Sequence, residues 1–159
     1  MGSTSDLPVV EKAKSLLQEL EVSVEMRVGS AHRTPEHVRE LIARAESEGT
    51  KVFICAAGGA AHLAGAVAAL TARPVVGIPL AAGALGGVDA LYSTCNMPPG
   101  MPVATVSVGS WGATNAALLA AQILAVADDT LHERLCTYRA QKTRDVIAKD
   151  QELQAGDQG

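Results

Sequence analysis

Two apolar runs, Lys51 to Ala57 and Val75 to Leu80, limit what this chain can fold into more than any other feature. Neither alternates polar with apolar residues, so neither suits a strand with one wet face. Strands buried on both faces belong to parallel sheets, and parallel strands need long crossovers, usually helical, to join them. Gly58-Gly59 and the alanine-rich stretch to about Leu70 supply such a crossover. The alternation continues downstream. Ala81 to Gly87 is a glycine-alanine loop, Val88 to Thr94 a short helix, Met97 to Gly100 a turn, and Pro102 to Val108 another strand. A long helix starts near Gly112, and Asp128-Asp129 separates it from a last amphipathic helix ending near Lys149. Strand–helix alternation at this spacing predicts an α/β fold, a three-layer αβα sandwich around a central parallel sheet. Residues 1–150 form one domain in this reading, and 151–159 a polar, disordered tail.

Upstream, the same grammar holds. Asp6 is placed to cap a helix whose apolar residues Val9, Val10, Ala13, Leu16, Leu17 and Leu20 recur at three- and four-residue spacing. Pro8 is tolerated in a first turn, where amides lack intrahelical partners. Val22, Val24, Met26 and Val28 alternate with Ser23, Glu25 and Arg27, which predicts a strand. Thr34-Pro35 reads as N-cap and first residue of a helix with Val38, Leu41, Ile42 and Ala45 on its buried stripe, stopped by Gly49. Met1-Gly2-Ser3 opens directly in a loop. A βα turn needs its strand, so the expectation is that a preceding segment is missing from the sequence.

Apolar residues make up 48% of the 159, but aromatics only 3%. The interior must therefore be filled by small side chains, and the shortage of large ones predicts an oligomer. A net charge of −4 argues against nucleic acid or an anionic membrane as the main partner. Cys55, Cys95 and Cys136 are widely spaced with no CxxC, which favours reduced thiols in a cytoplasmic protein over a disulfide or metal site. No charged-then-apolar leader is present, and the apolar run Ala113 to Ala127 is broken by Thr114, Asn115 and Gln122, as in a buried helix.

Residues able to do chemistry cluster where strands end and helices begin, the edge at which open α/β sheets bind ligands. Gly2-Ser3-Thr4-Ser5-Asp6 precedes a helix, and its amides and hydroxyls suit phosphate oxygens, while Asp6 suits ribose hydroxyls. Plain helix capping is the alternative. Ser30-Ala31-His32-Arg33 puts an imidazole that moves protons near neutral pH beside a guanidinium that holds anions. A solvated surface pair is the alternative there. His62 follows Gly58-Gly59-Ala60-Ala61 at a helix start, and could equally be a packing residue. His37 and His132 lie among polar helical residues and read as surface. The loop Ala81 to Gly87 offers a ligand little beyond backbone, unless it closes over one.

Gly2-Ser3-x-Ser5-Asp6, Ser30 to Pro35, Gly58-Gly59-Ala60-Ala61-His62-Leu63, Met97-Pro98-x-Gly100-x-Pro102-Val103-Ala104-Thr105 and Asn115 to Leu124 together resemble the N5-carboxyaminoimidazole ribonucleotide mutases of bacterial purine biosynthesis. The likeness runs in register from Met1 to about Ala148. It implies a flavodoxin-like fold, a homo-octamer, no metal and no organic cofactor. The implied reaction moves a carboxylate from the exocyclic nitrogen of an aminoimidazole ribonucleotide to ring carbon C4. Carried over, Ser3, Ser5, Asp6, Ser30, Ala31 and Arg33 would bind the ribose phosphate. His32 would shuttle the proton, and His62, with Gly58, Gly59 and Ala60, would lie near the migrating carboxylate. The chain departs from the family pattern at Ala64, where proline is usual, at Gly86, where serine is usual, and at Asn96, which replaces glutamine. A related carboxylase that takes free aminoimidazole ribonucleotide and CO2 is the rival, but it carries Gly-Arg-Ser-Asn after the third strand. A non-catalytic nucleotide-binding module is the reading from another class.

Overall fold

The computed structural model describes residues 1–156. Its sheet has three parallel strands in the order β1 (Phe53–Gly58), β2 (Val75–Leu80) and β3 (Ala104–Thr105). β1 pairs with β2 along its whole length, Phe53 opposite Val75 and Gly58 opposite Leu80. The two runs that lacked polar alternation thus pair with each other, and β2, between two neighbours, is buried along its whole length, as double-sided burial requires.

Side chains divide between the faces with period two. Ala56, Val76, Ile78 and Leu80 pack with α1 (Leu7–Glu19) and the long helix Gly109–Ala125, while Cys55 and Val75 pack with α2 (Pro35–Ser47) and α3 (Leu63–Ala68). Helices α4 (Val88–Cys95), α5 (Gly109–Ala125) and α6 (Asp129–Gly156) complete the chain. Helices lie on both faces, the layering of the flavodoxin-like class. Helix α5 presents Gly112, Ala113, Ala116, Ala117, Ala120, Ala121 and Ala125 to the interior, so its backbone lies close on the sheet. A β-carbon at Gly112 would stand 1.7 Å from the Ser107 carbonyl oxygen, which is why that position is glycine. Next to it, Trp111 points outward and is 81% exposed.

Four expectations change. Val22–Val28 alternates in burial but belongs to no strand, because alternation selects a face and only a ladder partner makes a strand. An open slot separates it from β1. The predicted strand Pro102–Val108 keeps only Ala104–Thr105, since β2 offers it Val76 and Gly77 alone. The crossover helix starts at Leu63, not at the glycines, because Gly59 (φ +62°) and Ala61 (φ +45°) both take left-handed backbone. Helix α6 runs past Lys149 to Gly156, carried by the strong helix formers Gln151–Ala155, so the disordered tail is corrected there; 157–159 lie outside the described residues.

Candidate active site

Three loops meet at the carboxyl edge of the sheet. The first is Gly2–Asp6. A 3-10 turn, Thr4–Asp6, leads into α1 and is closed by a capping box: Ser5 N donates to Ser3 Oγ at 3.3 Å, and Ser3 N donates to Asp6 Oδ2 at 3.1 Å. Asp6 therefore caps the turn rather than α1, whose N-terminus receives no bond from its side chain. Ser5 Oγ reaches Ser3 Oγ at 3.0 Å, leaving a row of hydroxyls along the edge.

The second loop carries Ser30–Arg33. Thr34 stands at the N-cap of α2, as its sequence position suggested, yet its hydroxyl faces back: it accepts from Ser30 N at 2.9 Å and donates to Ser30 O at 3.2 Å. That clasp closes one turn over Ala31 and His32. Arg33 Nε donates to Ser30 Oγ at 3.3 Å, and Arg33 Nη2 donates to the Gly2 carbonyl at 3.0 Å. The guanidinium thus ties the second loop to the first while most of it remains exposed. Ala31 is half-buried against the α2–α3 cluster.

The third loop is Gly58–His62. A β-carbon on Gly58 would come 2.6 Å from Ala82 Cβ, so glycine lets the Ala81–Gly87 loop lie over the end of β1. The tight turn bonds Ala61 N to Gly58 O at 3.2 Å, and Ser93 Oγ of α4 donates to Ala60 O. His62 becomes the N-cap residue of α3. Its ring meets that of His32: Nε2 of His32 lies 2.6 Å from Nδ1 of His62, with the rings edge-to-face at 83° and centroids 4.8 Å apart.

Both imidazoles are exposed, so water or a ligand reaches them. One ring donates to the lone pair of the other. While that bond stands the pair carries no more than one positive charge, because a second proton would set two N–H groups against each other. Such a pair is able to hold one mobile proton, and beside it stand a guanidinium and a row of hydroxyls suited to an anion.

The sequence-predicted residues therefore converge. His32 touches His62, Arg33 touches Gly2, and Ser3, Ser5 and Asp6 share one turn. His37 and His132 stay on the surface, His132 Nε2 lying 3.6 Å from Cys136 Sγ. Among the described residues, no group of three His, Cys, Asp or Glu side chains is close enough to hold a metal ion, and no helix is long and apolar enough to cross a membrane. Sequence reasoning missed Ser93, which holds the third loop from outside. It sits in no chemical motif, and only packing identifies it.

A sequence model of the AIR carboxylase family matches residues 1–145, which is most of the chain. The chain belongs to the AIR carboxylase family. Relatives in this family include proteins named N5-carboxyaminoimidazole ribonucleotide mutase. That of Pyrococcus abyssi is 51% identical over 91% of this chain and 82% of its own. The Haemophilus influenzae protein is 49% identical over 92% and 90%, and the Bacillus subtilis protein 47% identical over 96% and 94%. The crystal structure of Treponema denticola PurE superposes with a TM-score of 0.87 at 32% identity, covering 96% of this chain and 94% of that one. The fold described above is the AIR carboxylase family's fold.

Proposed function

We propose that this chain is a mutase that converts N5-carboxyaminoimidazole ribonucleotide to the C4-carboxylated isomer, with the His32–His62 pair carrying the proton. The 2.6 Å contact between the two rings is the observation that carries this reading. The chemistry needs one proton in transit. Breaking the N–C bond of the carbamate releases CO2 and leaves an electron pair on the exocyclic nitrogen, which takes a proton from imidazolium. Carbon C4 then attacks CO2, and the proton it bears returns to the imidazole, so atoms and charge balance. An imidazole can both give and take a proton near neutral pH, so one group serves both steps.

The remaining residues bind and enclose. Arg33 and the Ser3–Ser5 hydroxyls take the ribose phosphate, with Asp6 and Ser30 on the ribose side. Gly58, Gly59 and Ala60 present backbone to the migrating carboxylate. The Ala81–Gly87 loop, resting on Gly58, confines CO2 by covering it. No metal or organic cofactor enters this scheme. The exposed Leu85, Val88, Tyr92, Met101 and Trp111 support assembly into the family's homo-octamer, in the cytoplasm, from single-domain subunits.

The test is substrate choice. Purified protein should convert the N-carboxylated ribonucleotide with no added bicarbonate and should release little free aminoimidazole ribonucleotide. The family's own name favours a second reading, direct carboxylation of aminoimidazole ribonucleotide. Turnover that depends on bicarbonate and ignores the N-carboxylated compound would establish that reading and refute ours.

A further inference from the structure

The turn Gly58–His62 decides where the His62 ring stands, and it keeps its shape against the backbone's own preference. Ala61 takes left-handed backbone at φ +45°, a region that disfavours any residue with a β-carbon. Such a conformation persists only where surrounding contacts hold it. Ala61 is buried, and His62 follows directly as the N-cap residue of α3.

The holding contacts converge on one peptide group, the one that joins Ala60 to Ala61. In a trans peptide the N–H and C=O point in opposite directions, so one bond to each fixes the plane between them. From inside the turn, Ala61 N donates to Gly58 O at 3.2 Å. From outside it, Ser93 Oγ donates to Ala60 O. The tilt of that plane sets φ of Ala61, and with it the direction in which the chain enters His62.

Ser93 turns its hydroxyl away from its own helix. Its neighbour Thr94 bonds back to Ala90 O at 2.7 Å, four residues earlier, as hydroxyl residues inside helices commonly do. Ser93 reaches a carbonyl 33 residues away instead. The helix that carries it is firmly seated: Thr94 packs over Gly77 of β2, and Met97, just past α4, packs over Gly65 of α3. We propose that Ser93 is a positioning residue for the histidine pair. Its hydroxyl pins the Ala60–Ala61 peptide, keeps Ala61 left-handed, and so aims Nδ1 of His62 at Nε2 of His32, 2.6 Å away. The consequence for turnover rests on the proton-carrying role proposed above. Ala60 is exposed, so in Ser93→Ala water satisfies its carbonyl and the fold survives. What is lost is the direction of one peptide group.

The experiment compares Ser93→Ala and Ser93→Thr with the parent chain, each carrying nitrogen-15-labelled histidine. In the parent, one of the two facing ring nitrogens should give a donor-type signal and the other an acceptor-type signal. Ser93→Ala should move both towards the averaged position of a solvated imidazole, with Tm within roughly 2 °C of the parent. Its kcat on N5-carboxyaminoimidazole ribonucleotide should fall roughly 10–100-fold, with KM within about twofold. Ser93→Thr, which keeps the hydroxyl, should restore both signals and rate. In a His62→Asn background, Ser93→Ala should cost no further rate, because it acts through that ring. The proposal fails if the ring signals of Ser93→Ala match the parent's, or if the two rate losses multiply. It also fails if Tm drops by more than about 5 °C, which would make the residue merely structural. Altered signals with undiminished kcat would uphold Ser93 as the residue that places the ring, and would refute the proton-carrying role instead.

Discussion

Replacing Gly77 by alanine tests how the small-residue core holds the site. Gly77 lies mid-way along β2, where a β-carbon would come 2.3 Å from Thr94 Cγ2, 3.0 Å from Val103 Cγ1 and 3.3 Å from Ala64 Cβ. Thr94 is buried and its hydroxyl donates to Ala90 O at 2.7 Å, so it cannot swing aside without losing that bond. Overpacking of this kind costs about 1–3 kcal/mol, and the closest contact puts Gly77→Ala at the upper end. The stiffer unfolded chain returns about 0.4–1 kcal/mol, leaving roughly 2. In a domain of this size that lowers Tm by roughly 4–8 °C. Gly49→Ala is the control: φ is +92° and no atom lies within 4 Å, so only left-handed backbone opposes it. That costs about 1–2 kcal/mol before the same entropic return. Calorimetry at one protein concentration measures both. Because α3 and α4 ride on Gly77 and carry His62 and Ser93, Gly77→Ala should also lose turnover well below its Tm, and Gly49→Ala should not. If Gly77→Ala melts within about 2 °C of the parent and turns over normally, the close-packing account is wrong.

His32→Asn and His62→Asn should each cut kcat by about 10²-fold or more with little change in ribonucleotide binding; stopped assays plus calorimetric titration would show it. Arg33→Ala should instead raise KM roughly 10–100-fold, the worth of a charged hydrogen bond to phosphate, with kcat less affected. Burial pushes the Cys55 thiol up to about 12 from 9.0 in the unfolded chain. Folding thus favours its neutral form, a contribution complete below pH 9 and lost as pH climbs towards 12. Denaturant titrations across that window should show a falling stability that Cys55→Ala flattens. A thiol reagent at neutral pH should modify Cys95 and Cys136 in the native protein and reach Cys55 only after unfolding.

Where burial alone decides structure, the sequence was sufficient. β2 falls at Val75–Leu80 as its apolar run predicts, and Gly49, with φ +92°, ends the α2 region as expected. Where a partner decides, it was not. Val22–Val28 has impeccable alternation and no ladder, while Ala104–Thr105 is all that β2 leaves of a seven-residue prediction. The site divides in the same way. His62 was legible because it follows β1, and His32 and Arg33 because they follow an alternating segment that ends at the same edge of the sheet. The hydroxyl of Thr34 turned towards Ser30, and Ser93 bonded to Ala60, were not legible, because those contacts join residues by packing and carry no signature of spacing.

Trp111 is the chain's single tryptophan and stands 81% exposed beside the tightly seated Gly112. Its indole is almost as wet in the folded subunit as in the denatured chain. Intrinsic fluorescence should therefore be nearly blind to unfolding of an isolated subunit and should shift blue when another surface covers it. Followed by emission on one side and circular dichroism on the other, dilution would separate the loss of neighbours from the loss of structure, with no label attached.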